Sequence, residues 1–97
     1  MLNRQTTLRL LAENKAHLAS QFGVTQLALF GSIARDCATA DSDADVLVAF
    51  EGPATSARYF GVQFYLADLL GRPVDLVTQK ALRPELRSYV EREAIHV

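Results

Sequence analysis

The run Asp43 to Phe50 alternates strictly. Ala44, Val46, Val48 and Phe50 fall on one side of an extended chain, and Asp43, Asp45, Leu47 and Ala49 on the other. A strand of this kind has one wholly apolar face that must be covered, while its second face carries two carboxylates side by side. The rest of the chain has to supply that cover and leave room for the acids.

Turn signals divide the remainder into alternating elements. Thr7 to Gln21 predicts a helix, with Leu8, Leu11, Leu18 and Phe22 at helical spacing, Thr6 or Thr7 as cap, Gly23 as stop, and Arg9, Glu13 and Lys15 on its outer face. Val24 to Phe30 predicts a strand that ends at Gly31-Ser32, and Ile33 to Cys37 a helical turn or two. Thr55 or Ser56 caps a helix, Ala57 to Leu70, closed by Gly71; Pro73 to Thr78 is a third strand; Pro84 opens a last helix before the tail Ile95-His96-Val97. The order predicts an α/β or α+β domain, residues 1–97, in which helices flank a three-stranded sheet.

With 97 residues the chain has room for one core and one site, and its formal net charge of -1 excludes a basic nucleic-acid coat, so no direct nucleic-acid binding is expected. Cys37 is the lone cysteine, which excludes an intramolecular disulfide and fits a reducing compartment; a cytoplasmic location is expected. The sequence holds no apolar run long enough for a membrane span.

Asp43 and Asp45 share a strand face with Cα atoms about 6.5 to 7 Å apart, so both can reach one Mg²⁺, and their mutual repulsion favours a cation between them. Read alone, the pair is more often two solvated acids at a strand start. The string from Asp41 opens like a calcium loop, but Val46 and Gly52 stand where that loop needs Gly and Glu, and the calcium reading fails. Gly31-Ser32 at a strand-to-helix junction can present N–H groups and a hydroxyl to an anion, or be only a turn; without a following Lys-Ser/Thr it is no Walker loop.

Together these features are more specific. Phe30-Gly31-Ser32, ten residues, then Asp43-Ala44-Asp45-Val46 resembles the motif of the polymerase-β-like nucleotidyltransferase superfamily. The string GSIARDCATADSDADVLVAF, the strand VDLVT and the ending LRPELRSYVEREAIHV are similar to the minimal, MNT-type nucleotidyltransferases encoded beside HEPN-domain toxins. The resemblance implies a palm-like mixed sheet, Gly31 and Ser32 on a triphosphate, Asp43 and Asp45 as metal ligands, and Asp75 as a third carboxylate. Asp75 joins the others if the third strand lies beside the second; otherwise it is an edge-strand charge. Arg35 is either a phosphate contact or an exposed structural residue. Two departures from the family pattern stand out: Asp36-Cys37 in place of a Gly-acid pair, and the small Ala44 between the acids.

The helix Ala57 to Leu70 is apolar around most of its circumference, with Ala57, Phe60 and Phe64 on one face and Tyr59, Val62, Tyr65, Leu66, Leu69 and Leu70 around the rest. A domain this small does not bury both sides, so the helix is expected to contribute to a homo-oligomer or partner interface, through the side opposite Phe60; a wide groove under loops is the alternative.

The resemblance implies a Mg²⁺-dependent enzyme that moves AMP from ATP to a hydroxyl, that of a tyrosine, on a HEPN toxin, and so acts as its antitoxin. Two other functions compete: an antitoxin that neutralises by contact alone, and a nucleotidyltransferase for a small molecule. Retention of all three acids speaks against the first, and the want of room for a second substrate domain against the other.

Overall fold

Short polar side chains start the long helices and glycines end them. The computed structural model describes residues 3–97. The elements run α1 (Arg4–Phe22), β1 (Val24–Phe30), α2 (Gly31–Ala34), β2 (Ala44–Phe50), α3 (Ser56–Leu70), β3 (Val74–Thr78), a 3-10 turn (Gln79–Ala81), α4 (Pro84–Glu93) and β4 (Ile95–His96). Asn3, not Thr6 or Thr7, caps α1: its side chain accepts the Thr6 N–H at 2.8 Å. Thr7 lies inside the helix, wholly buried, and its hydroxyl donates to the Asn3 carbonyl at 2.6 Å. Thr55 caps α3 through the Arg58 N–H, and Gly23 and Gly71 close α1 and α3 in the left-handed conformation.

The sheet has four strands, not the expected three, in the order β3-β2-β1-β4. β1 is antiparallel to both neighbours, and β2 is parallel to β3. The extra strand is the tail: Ile95 pairs with Leu29 and His96 with Ala28, and the Val97 N–H donates to the Leu27 carbonyl at 3.0 Å. Two residues carry no readable periodicity; the open edge of β1 makes them a strand. The Lys15 ammonium donates to the Val97 carbonyl at 2.7 Å, so that side chain ties α1 to the tail, while Arg9 and Glu13 form an exposed pair at 3.9 Å.

Alternation along β2 sorts the two faces as its sequence demands. Ala44, Val46 and Val48 are fully buried under α1 and α3, against Leu11, Leu18, Val62 and Leu66. On the other face Leu47 and Ala28 meet Val90, the one buried residue of α4. This cover is thin: on that face Asp45 of β2 is only half-buried and Asp75 of β3 is exposed.

The expectation for the helix Ala57 to Leu70 had its sides reversed. Val62 and Leu66 are 0% exposed and belong to the core, Leu69 is half-buried, and the open side is that of Phe60 and Phe64, 48% and 69% exposed. Gly61 explains the choice, since a Cβ there would stand 2.4 Å from Phe22 Cε1. The missing side chain lets α1 approach, and Tyr65, one turn on, donates its hydroxyl to Asn14 Oδ1 at 2.5 Å. Phe60 and Phe64 stack on each other outside, with ring centroids 6.4 Å apart. Among the described residues no helix is long and apolar enough to cross a membrane.

Candidate active site

The site begins where β1 turns into α2. Phe30 pairs with Asp45 across the antiparallel β1–β2 ladder, so the next residue, Gly31, lies over the Asp45 side chain. Gly31 has φ +77°, and a Cβ added there would stand 2.0 Å from Asp45 Oδ2. Both facts require glycine: a side chain would be strained by the backbone and would collide with the carboxylate. Gly31→Ala is therefore expected to lower stability by about 1 to 3 kcal/mol, and to slow nucleotide transfer by about 100-fold as Asp45 is pushed aside. Denaturant melts and initial rates check the two effects separately.

Asp75 comes to the same place along a different route. Asp45 and Asp75 are Cα partners on adjacent parallel strands. Val74 and Leu76 are buried and Asp75 between them is exposed, so it points to the face that carries Asp45. The condition set by the sequence, β3 beside β2, is met. Asp43 stands one residue before β2, exposed, on a loop held by two bonds: the Arg72 guanidinium to the Ser42 carbonyl at 3.0 Å, and the Ala44 N–H to the Pro73 carbonyl at 3.0 Å.

Burial, then the charges of Asp75 and Asp43, push the Asp45 carboxyl up to about 6, against the pull of Arg35. A raised acid of this kind favours the fold only while protonated. Its contribution is whole below the ordinary value of 3.8 and lost as pH rises through about 6. The metal-free protein should thus lose about 1 to 2 kcal/mol between these limits, allowing for screening by water, and Asp45→Asn should remove that slope. Thermal melts across pH 4 to 7 in a chelating buffer, about the range of that titration, check it.

The donor set fits a hard divalent cation: oxygen ligands only, with repulsion among them that a cation relieves. Among the described residues no three His, Cys, Asp or Glu side chains close into a preformed metal cage.

The glycine turn departs from expectation in two ways. α2 spans Gly31–Ala34 and stops before Cys37, because Asp36 takes φ +60°, a left-handed position. The residue that departs from the family pattern therefore sits where glycine is easiest, and Asp36→Gly should stabilise by about 0.5 to 1 kcal/mol in a denaturant melt. Arg35 pairs with Glu93 from the last turn of α4, and the same carboxylate oxygen accepts the Gly31 N–H at 3.0 Å. Glu93 was not among the residues marked by the sequence. Its one signal is position, three residues after Val90, on the inward stripe of α4. Ser32 follows in the turn, half-buried, its carbonyl accepting the Cys37 N–H at 2.8 Å. A separate cleft of about 240 Å³ opens at the far ends of β2 and β3, lined by Ala49, Thr78, Lys80 and Arg87; the acids lie outside it.

Acids in register on adjacent parallel strands of one sheet face, with a glycine turn pressed against one of them, are the arrangement that the resemblance to nucleotidyltransferases implies. Residues 11–97 match the family described as Nucleotidyltransferase domain, and the chain belongs to that family. It is 36% identical over its whole length to the protein adenylyltransferase MntA of Thermococcus cleftensis, covering 98% of that protein. A solved structure described as a minimal nucleotidyltransferase superposes with TM-score 0.81 at 40% identity, with 97% of this chain and 95% of the other covered. At 21% identity the likeness is one of fold to a solved complex of a tri-AMPylated Shewanella oneidensis HEPN toxin with its MNT antitoxin, TM-score 0.60, over 97% of this chain and 67% of that one.

Proposed function

We propose that this nucleotidyltransferase transfers AMP from ATP to a tyrosine hydroxyl of a HEPN-domain toxin in the cytoplasm, and is thereby the antitoxin of a toxin–antitoxin pair. The observation that carries the reading is the in-register pair Asp45 and Asp75 beside the Gly31 turn. The Thermococcus relative, named a protein adenylyltransferase, and the AMPylated toxin in the Shewanella complex support it.

In this reading Asp43, Asp45 and Asp75 are the catalytic carboxylates, of which Asp43 and Asp45 would hold Mg²⁺. Bound there, the ion would neutralise the triphosphate and polarise its α-phosphate. Ser32, at the start of α2, offers its hydroxyl to the phosphates, and Arg35 adds charge beside them. The acceptor oxygen bonds to the α-phosphorus as the bond to the bridging oxygen of the β-phosphate breaks. Pyrophosphate leaves with the electron pair. Asp75, the most open of the strand acids, takes the hydroxyl proton and passes it to water. The exposed Phe60–Phe64 face of α3 remains for contact with the toxin or with a second copy.

The test is to incubate the protein with ATP, Mg²⁺ and a HEPN-domain protein from the same genome, then read the toxin by intact mass and peptide mapping. A mass gain of AMP on tyrosine, lost without Mg²⁺, is expected. Neutralisation of an unmodified toxin would sink the enzymatic reading in favour of a contact antitoxin.

A further inference from the structure

We propose that Glu93 is a positioning residue of the transfer site, holding the Gly31 turn against Asp45 and fixing the direction of the Arg35 guanidinium. The inference rests on the transfer reading above and adds a residue to it.

A single carboxylate oxygen, Glu93 Oε1, accepts from the Gly31 N–H at 3.0 Å and from Arg35 Nη1. The Glu93 side chain is 15% exposed, whereas its partner Arg35 is 49% exposed. A carboxylate so far removed from water is disfavoured unless donors compensate it, and these two donors do so. Gly31 is thereby gripped from two directions. Its N–H is taken by Glu93, and its Cα is in close approach to Asp45, where no Cβ fits.

The position of the turn matters because Ser32 follows it directly and Arg35 closes it: the Arg35 N–H donates to the Gly31 carbonyl at 3.1 Å. Phe30, at the N-cap of α2, makes no side-chain cap bond, so Glu93 supplies what the local sequence lacks. One amide has one hydrogen. With that hydrogen committed to Glu93, Gly31 serves by its smallness, and Ser32 is left to meet phosphate. Arg35 gives Nη1 to Glu93 and keeps its remaining donors, now aimed by the pair, for an anionic substrate. A shift of about 1 Å in such a turn is enough for a loss of about 100-fold, so a residue that never touches the reacting atoms can govern the rate.

The experiment uses the full chain, with Glu93→Ala, Glu93→Gln, Glu93→Asp and Arg35→Ala. Hydrogen exchange at the Gly31 amide is read without nucleotide, and KM for ATP and kcat are read with the HEPN protein as acceptor. Exchange is expected to be about tenfold faster in Glu93→Ala and close to wild type in Glu93→Gln, whose amide oxygen still accepts the bond. KM for ATP is expected to rise about tenfold in Glu93→Ala, with a smaller fall in kcat and substantial recovery in Glu93→Gln. Combining Glu93→Ala with Arg35→Ala should add little to the larger single effect, because the two act as one unit. Glu93→Asp, one methylene short of reach, should follow Glu93→Ala and serves if the alanine variant does not fold. Wild-type exchange and KM in Glu93→Ala or Glu93→Asp would overturn the proposal. So would a lower KM, which would make the carboxylate a competitor of the triphosphate. Failure of the wild type to transfer AMP sinks the transfer reading instead, while the exchange result still decides whether Glu93 holds the turn.

Discussion

Asp45→Asn and Asp43→Asn are each expected to leave a folded protein whose AMP transfer is slower by about three orders of magnitude or more. Each change keeps the shape of the side chain and removes one negative charge from the place where a cation and a triphosphate must meet. Stability should move the other way. The Asp45 carboxyl is pushed up to about 6 by burial and by Asp75 and Asp43, so at neutral pH its charge works against the fold. A gain of about 1 kcal/mol in Asp45→Asn, together with the loss of transfer, would separate a functional acid from a structural one. Transfer at near wild-type rate in either variant would remove the strand acids from the mechanism. Added Mg²⁺ supplies a further check: it should raise the Tm of the wild type more than that of either variant.

The second large effect concerns α3. Leu66→Lys should unfold the protein, because it places an unpaired ammonium where the leucine is 0% exposed, in the apolar core that also holds Val46 and Val48. The loss is expected to exceed about 4 kcal/mol, a large share of the stability of an ordinary domain. Phe64→Lys, on the same helix, should change stability by no more than about 0.5 kcal/mol, since that ring is 69% exposed. Circular dichroism and sedimentation distinguish the two, and co-purification with the HEPN protein reads the surface itself. Loss of association in a folded Phe64→Lys variant is expected. Retained association would leave the exposed aromatic pair without a partner role, and a folded Leu66→Lys would contradict the packing of the core.

The contrast between those two substitutions shows where sequence reasoning stopped. Periodicity established that α3 is apolar nearly all round, but a helical wheel has no origin. Which side faces inward depends on Gly61 meeting Phe22, two residues on different helices. The same limit hid β4, whose two residues form a strand only because β1 has an open edge, and Glu93, which reaches Gly31 across a separation of 62 residues. The acids were legible for the opposite reason. Asp43 and Asp45 are two residues apart in one chain, so their closeness needs no other element, although Asp43 stands just before β2 and not within the expected strand.

The sequence by itself determined the elements other than β4, their left-handed glycine stops, the apolar face of β2 and the candidates for the site: a glycine turn, Asp43 and Asp45, with Asp75 conditional on strand order. Tertiary structure decided that β3 runs parallel beside β2 and brings Asp75 into register with Asp45, that Arg35 is shared with Glu93, and that Phe60 and Phe64 rather than Val62 and Leu66 stay in water. The division follows from the range of the forces involved. Backbone sterics, capping and side-chain alternation act within a turn or two of chain, and spacing records them. Strand order, helix facing and the partner of a buried carboxylate are settled by contacts between residues distant in sequence, chosen because together they remove the most apolar surface from water while leaving buried polar groups paired.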